Sequence, residues 1–121
     1  DLDCMDVVVA QEGLKRKVTE EIVRSCRGIY VTTSDSRLIE VADERAGKHR
    51  AMTYLAKRLH IPAEGTAAFG DGDNDAEMLK AAGVGIAMEN ATALCREAAD
   101  YVTLSHEKDG VAWGIRKILE L

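Results

Sequence analysis

At 121 residues the chain has room for one modest domain with a workable core; 46% hydrophobic against 31% charged residues, one proline and no low-complexity run argue against disorder. A formal net charge of −5 argues against broad nucleic-acid binding, because phosphate backbones reward a basic face. Cys4, Cys26 and Cys95 are odd in number and form no CxxC, no apolar run approaches the length of a membrane span, and the acidic start lacks the basic and apolar stretches of a signal peptide. The expectation is a soluble protein of the reducing cytoplasm with no membrane or nucleic-acid partner.

In chain order, "MDVVVA" reads as a strand, and "LKRKVTEEIVRSC" places Leu14, Val18, Ile22 and Cys26 on one helical face. The basic run Lys15 to Lys17 is balanced by Glu20 and Glu21 on the same helix, which predicts a solvated face rather than a phosphate patch. "GIYVTT" and, after a polar "SDS" turn, "RLIEVA" read as two more strands, giving a strand-helix-strand-strand unit over residues 1–42 that looks incomplete alone. From Gly47 a second pattern takes over. A helix runs through Leu59 with Met52, Leu55 and Leu59 inward, followed by strand "TAAF", helix "DAEMLKAA", strand "VGIAM", helix "ATALCREAA" and short strand "YVTL". The last helix carries Val111, Ile115, Ile118 and Leu119, with Trp113 as a packing residue. This alternation predicts a parallel sheet covered by helices. Gly83 is the expected C-cap of one helix, and Asn90 is most simply the N-cap of the next and otherwise a ligand contact. His49, His60 and His106 share no metal spacing and are expected at surfaces or helix ends.

The stretch "AAFGDGDNDAEML" concentrates the chemistry. Asp71, Asp73 and Asp75 alternate like the first ligands of a calcium loop, but such a loop needs Gly at its sixth position and Glu at its twelfth, where this chain has Ala76 and Ala82. The small apolar residues before Gly70 favour a buried strand over an incoming helix. What remains is an acidic turn at the carboxyl end of a strand, the place where open α/β sheets bind ligands. Gly70 and Gly72 allow the tight turn, Asp71 projects over the sheet edge, and Asp73 suits a helix start. One or two carboxylates completed by water and phosphate oxygens suit Mg²⁺ better than Ca²⁺. Lys48, at the start of the preceding helix, would reach the same edge and neutralise a phosphate.

From Ile39 onward the ordered series "IEV…AGK…A…L", "AFGDGDNDAEML", "AGVGIAMENA" and "AADYVTLSHEKDGVAWGI" resembles the Cof-type phosphatases of the haloacid dehalogenase superfamily over about two-thirds of the chain. The resemblance implies half of a Rossmannoid three-layer α/β fold, a parallel sheet with helices on both faces over 43–121, preceded by the trailing remnant of a small α/β cap over 1–42. Lys48 matches the lysine that steadies the phosphoryl group and the charged nucleophile. Asp71 matches the direct Mg²⁺ ligand, and Asp75 the second acidic residue, which orders the metal's water shell or a neighbouring ligand. Asn74 matches a position that contacts substrate phosphate, whereas Gly72 and Asp73 are turn geometry.

In such enzymes the nucleophile is an aspartate of a DxD motif that ends a buried strand, with a second aspartate as general acid and base. "DLDC" imitates the motif in letters, but no apolar strand precedes Asp1, and too few positions separate Asp1 and Asp3 from Lys48 for the rest of the fold. The nucleophilic pair is therefore expected outside this chain, in a missing N-terminal half or a second polypeptide. The implied activity is Mg²⁺-dependent hydrolysis of a small phosphorylated metabolite through an aspartyl-phosphate. Two alternatives stay open: a truncated, non-catalytic metal- or phosphate-binding or regulatory module of the same fold, and a phosphotransferase or mutase.

Overall fold

The structure, a computed structural model, describes residues 4–33 and 36–120. Asp1 and Asp3 lie outside the described residues, as do two residues of the "SDS" turn. The chain divides into two compact units between Gly47 and Lys48.

In the first unit, strands β1 (Cys4–Val8), β2 (Ile29–Thr32) and β3 (Leu38–Asp43) form an antiparallel sheet in the order β1-β3-β2, with helix α1 (Lys15–Ser25) between β1 and β2 in sequence. The pleat sends alternate residues of central β3 to one face, so Ile39 and Val41 are buried there, with Val18 and Ile22 of α1 packed against them. Leu14 and Cys26, expected on the same face, flank the helix as its capping residues and are exposed. Arg16 pairs with Glu20 and Arg24 with Glu21 on the solvent side of α1.

The second unit begins with α2 (Lys48–Arg58) and continues β4 (Ala67–Gly70), α3 (Ala76–Ala81), β5 (Val84–Ala87), α4 (Ala93–Glu97), β6 (Tyr101–Val102) and α5 (Gly110–Ile118). Its three strands are parallel, in the order β4-β5-β6. Ala68, Leu79, Ala87, Met88, Ala91 and Cys95 form the buried core, against which Met52 of α2 packs. On the other face, Gly114 of α5 sits so close to the sheet that a Cβ there would lie 2.6 Å from the Phe69 ring. Helices on both faces of a parallel sheet bear out the alternating pattern and make this unit the three-layer α/β arrangement that the resemblance implies.

Two expectations change. Leu55 and Leu59 are each 58% exposed, because α2 uses only its Met52 side against the core and no described element covers the rest of its apolar stripe. Gly83 is not a helix cap: α3 is capped by Ala82 in an extended conformation. A Cβ at Gly83 would instead lie 2.6 Å from the Ala63 carbonyl oxygen, so glycine is required there for close approach of two backbones.

Candidate functional site

Parallel pairing puts the carboxyl ends of β4 and β5 side by side, and the chain leaves β4 at Gly70 into Asp71 and Gly72. Gly72 is extended, and Asp73–Asp75 form one turn of 3-10 helix that runs directly into α3. Asp75, the third residue of that turn, reaches back across it. Its Oδ2 accepts hydrogen bonds from the backbone N–H of Asp71 at 3.0 Å and of Gly72 at 3.1 Å. The chain thereby satisfies two donors that would otherwise be left open at a helix start. The closeness of this return explains Gly70, where a Cβ would lie 2.4 Å from that of Asp75.

The other oxygen of Asp75 accepts a hydrogen bond from Lys48 Nζ at 2.5 Å, closing an ion pair across 27 residues of sequence. The Asp75 side chain is 7% exposed and that of Lys48 50%, so a buried carboxylate is paired with a half-exposed lysine. Burial is the largest influence on the Asp75 carboxyl and pushes its pKa up, but the Lys48 hydrogen bond, the two backbone N–H groups and the Lys48 charge together outweigh it. The net effect holds Asp75 below the usual carboxylate range.

Asp71 is placed differently. Its side chain is exposed, and Oδ2 accepts a hydrogen bond from Asn90 Nδ2 at 3.2 Å. Its carbonyl accepts one from the Thr92 N–H at 2.9 Å. Asn90 is therefore not the helix N-cap that its position before "ATALCREAA" suggests. Thr92 performs that role, its hydroxyl accepting from the Cys95 N–H at 3.3 Å. Behind the loop, Cys95 is fully buried, and burial first, then the nearby aspartates, push its thiol up to about 11. It is a core residue with no nucleophilic character at neutral pH.

Lys48, Asp71 and Asp75 thus converge on one open cavity of about 360 Å³, with Gly70, Met78 and His106 also on its wall. Asn74 is half-buried in the same turn and is not on that wall; its side-chain oxygen lies over Gly72, 2.8 Å from where a Cβ would stand. A larger cavity of about 400 Å³ lies beside β5, β6 and α5, lined by residues such as Ile86, Tyr101 and Trp113. It gathers no carboxylate, so size does not mark the site; the convergent polar groups do. Trp113 packs there while remaining 41% exposed, with Lys117 Nζ 5.1 Å from its ring centroid.

Among the described residues, no group of three or more His, Cys, Asp or Glu side chains could hold a metal ion. A cation at this loop would therefore keep most of its water or take ligands from outside the described residues. The donors present are hard carboxylate oxygens, and Oδ1 of Asp71 has no hydrogen-bond partner among the described residues. One carboxylate oxygen completed by water and phosphate fits Mg²⁺, which resists full dehydration.

A parallel strand ending in an acidic, lysine-braced turn, between helices on both faces, places the chain among the α/β proteins whose polar groups gather at the carboxyl edge of an open sheet, and comparison with known proteins narrows the class. A sequence profile of the haloacid dehalogenase-like hydrolases matches residues 2–115, and the chain belongs to that family, in its Cof-type branch. The chain is 43% identical over 91 residues to phosphatase YwpJ of Bacillus subtilis, covering 75% of this chain and 32% of that protein. It is 35% identical over 108 residues to the 5-amino-6-(5-phospho-D-ribitylamino)uracil phosphatase YcsE of the same organism, covering 89% of this chain and 43% of that one. A solved haloacid dehalogenase-like hydrolase from B. subtilis superposes with a TM-score of 0.84 at 34% identity, over 91% of this chain and 38% of the other. The chain spans less than half the length of each of these relatives. No helix among the described residues is long and apolar enough to cross a membrane.

Proposed function

We propose that this chain is the metal- and phosphate-holding half of a cytoplasmic, Mg²⁺-dependent phosphatase that hydrolyses a small phosphomonoester through an aspartyl-phosphate. The observation that carries the reading is the convergence of Lys48, Asp71 and Asp75 on one cavity at the carboxyl end of β4. Asp71 would ligate the cation directly through its open oxygen. Asp75 orders that ligand by accepting from the peptide N–H groups on both sides of Asp71, its own and that of Gly72, and it holds Lys48 in place. The Lys48 ammonium then faces the charge that builds on the phosphoryl oxygens as an aspartate attacks phosphorus in line and the ester oxygen leaves. Bound at Asp71, Mg²⁺ would supply further neutralisation of the same oxygens. Asn74, one residue before Asp75, is the further candidate for substrate phosphate.

The attacking aspartate belongs, in this reading, to a segment outside residues 4–33 and 36–120, in an N-terminal half of the same protein or a second chain. Support comes from β4, whose one hydrogen-bonded neighbour is β5, so that its other edge is open among the described residues. Residues 1–42 would then be the trailing part of the cap and residues 43–121 the C-terminal half of the core.

The test is turnover of a phosphomonoester by the complete enzyme, read as released phosphate. Asp71→Ala and Lys48→Ala should each lower kcat by about a thousandfold, the scale of removing one preorganised charge stabiliser. Near-normal turnover in either variant overturns its role. Binding of Mg²⁺ or phosphate by the wild type with no turnover at all favours the non-catalytic module instead.

A further inference from the structure

We infer that Asn90 is a positioning residue for Asp71, tying one carboxylate oxygen to the β5–α4 loop and leaving the other as the oxygen that ligates a divalent cation. The inference rests on the reading of Asp71 as the direct metal ligand. It begins with the two ends of one amide. Asn90 Nδ2 donates to Asp71 Oδ2 at 3.2 Å, and Asn90 Oδ1 accepts from the backbone N–H of His106 at 3.1 Å. A backbone N–H can only donate and a carboxylate only accept, so the amide has one satisfactory orientation, with its acceptor toward His106 and its donor toward Asp71.

The anchor is itself held. Glu89, the preceding residue, accepts from the Ser105 N–H at 3.3 Å and from Lys108 Nζ at 3.1 Å through its Oε2. Residues 89 and 90 thus grip the same 3-10 turn (His106–Lys108), one through a carboxylate and the other through an amide, but only Asn90 passes the connection on to Asp71. On the far side, the Asp71 carbonyl is fixed by the Thr92 N–H, so backbone and side chain of the ligand are both tied to the loop 88–92. This is the arrangement of an outer-shell partner: the ligand's rotamer is set before a cation arrives, and the amide takes up one oxygen, which lowers the number of ways the carboxylate can meet the ion.

The experiment is a titration of the full-length protein with Mn²⁺, a paramagnetic stand-in for Mg²⁺, followed by electron paramagnetic resonance without substrate. Asn90→Ala should raise Kd about tenfold or more, the scale of losing an outer-shell partner. Asn90→Ser, which also lacks the reach of the amide, should do the same and serves if the alanine variant does not fold. Glu89→Gln, which loosens the same turn without touching Asp71, should leave Kd within about twofold, below the outer-shell scale. The inference is overturned if the Asn90 variants melt earlier without metal yet bind Mn²⁺ as the wild type does, or if Glu89→Gln weakens binding as much as they do. Asp71→Ala separates the two levels. If it abolishes Mn²⁺ binding while the Asn90 variants retain it, the positioning role fails and the metal reading stands. If it binds like the wild type, the metal reading itself has failed.

Discussion

The acidic loop and the outer faces of α2 and α5 are built to opposite standards, although both belong to the second unit. At the loop, Asp75 has both oxygens engaged and Asp71 is tied through backbone and side chain. On the helices, Leu55, Leu59 and Ile115 are left between 43% and 58% exposed. Polar groups are satisfied one by one because a hydrogen bond needs one partner at one distance, and the loop, Lys48, Asn90 and Thr92 together supply those partners. Apolar surface needs area, and the described part of this unit does not supply enough to cover those stripes. The difference teaches that a polar loop can be tightly tied within a unit whose described helices leave apolar surface uncovered.

The largest effect that sharpens this contrast is expected in the core. Leu79 is 1% exposed, and Leu79→Ala should cost about 3 kcal/mol in urea unfolding, the usual sum of lost burial and residual cavity. A loss below about 1 kcal/mol, near the level of surface substitutions, would mean that the core under the loop is as loosely covered as the outer faces.

Next comes Asp75. All its partners are donors, so Asp75→Asn must turn an NH₂ group toward another donor while removing the charge that faces Lys48. The expected loss at neutral pH is about 2 kcal/mol, the cost of an unmade hydrogen bond to a charged group. The pH dependence has a definite sign. Because the folded pKa lies below the unfolded value near 4, the contribution is present above that value and is lost as pH falls through the folded pKa. Unfolding free energy measured from pH 6 down to pH 2 should fall for the wild type, with that part of the fall missing in Asp75→Asn. Equal acid profiles would show that the Lys48–Asp75 pair contributes nothing and that the loop is less tightly built than it looks.

What was legible in the sequence follows the same division. Asp71, Asp75 and the glycines could be read because their spacing is local: a strand that stops and a carboxylate that returns after four residues leave a pattern in consecutive letters. The sequence placed Lys48 at the same edge, but its pairing with Asp75 across 27 residues requires the fold. Asn90 carries the cap signal without the cap role for a physical reason. Asparagine before a helix is a cap signal, and Thr92, two positions later, carries the same signal; only the backbone decides which hydroxyl or amide meets the first turn. The apolar period of α2 was right about the helix and silent about its cover. Periodicity reports that a face wants burial and says nothing of which segment provides it.

The smallest effect therefore tests the most about that cover. Leu59→Ser removes an apolar side chain that is 58% exposed, and in this chain it should change stability by no more than about 0.5 kcal/mol, as surface substitutions do. In the complete protein the same substitution should cost more, at least about 1.5 kcal/mol, if a further segment lies on α2, because the lost side chain would then have been buried. The comparison needs no knowledge of substrate or metal, only denaturation of the two lengths with and without the change. Unequal costs would mean that the bare stripe is an internal surface of a larger core, whose missing layer also closes the open edge of β4. Equal, small costs in both would mean that α2 keeps its leucines in solvent by nature, and the loop would have to hold its geometry with no more support than this chain gives it.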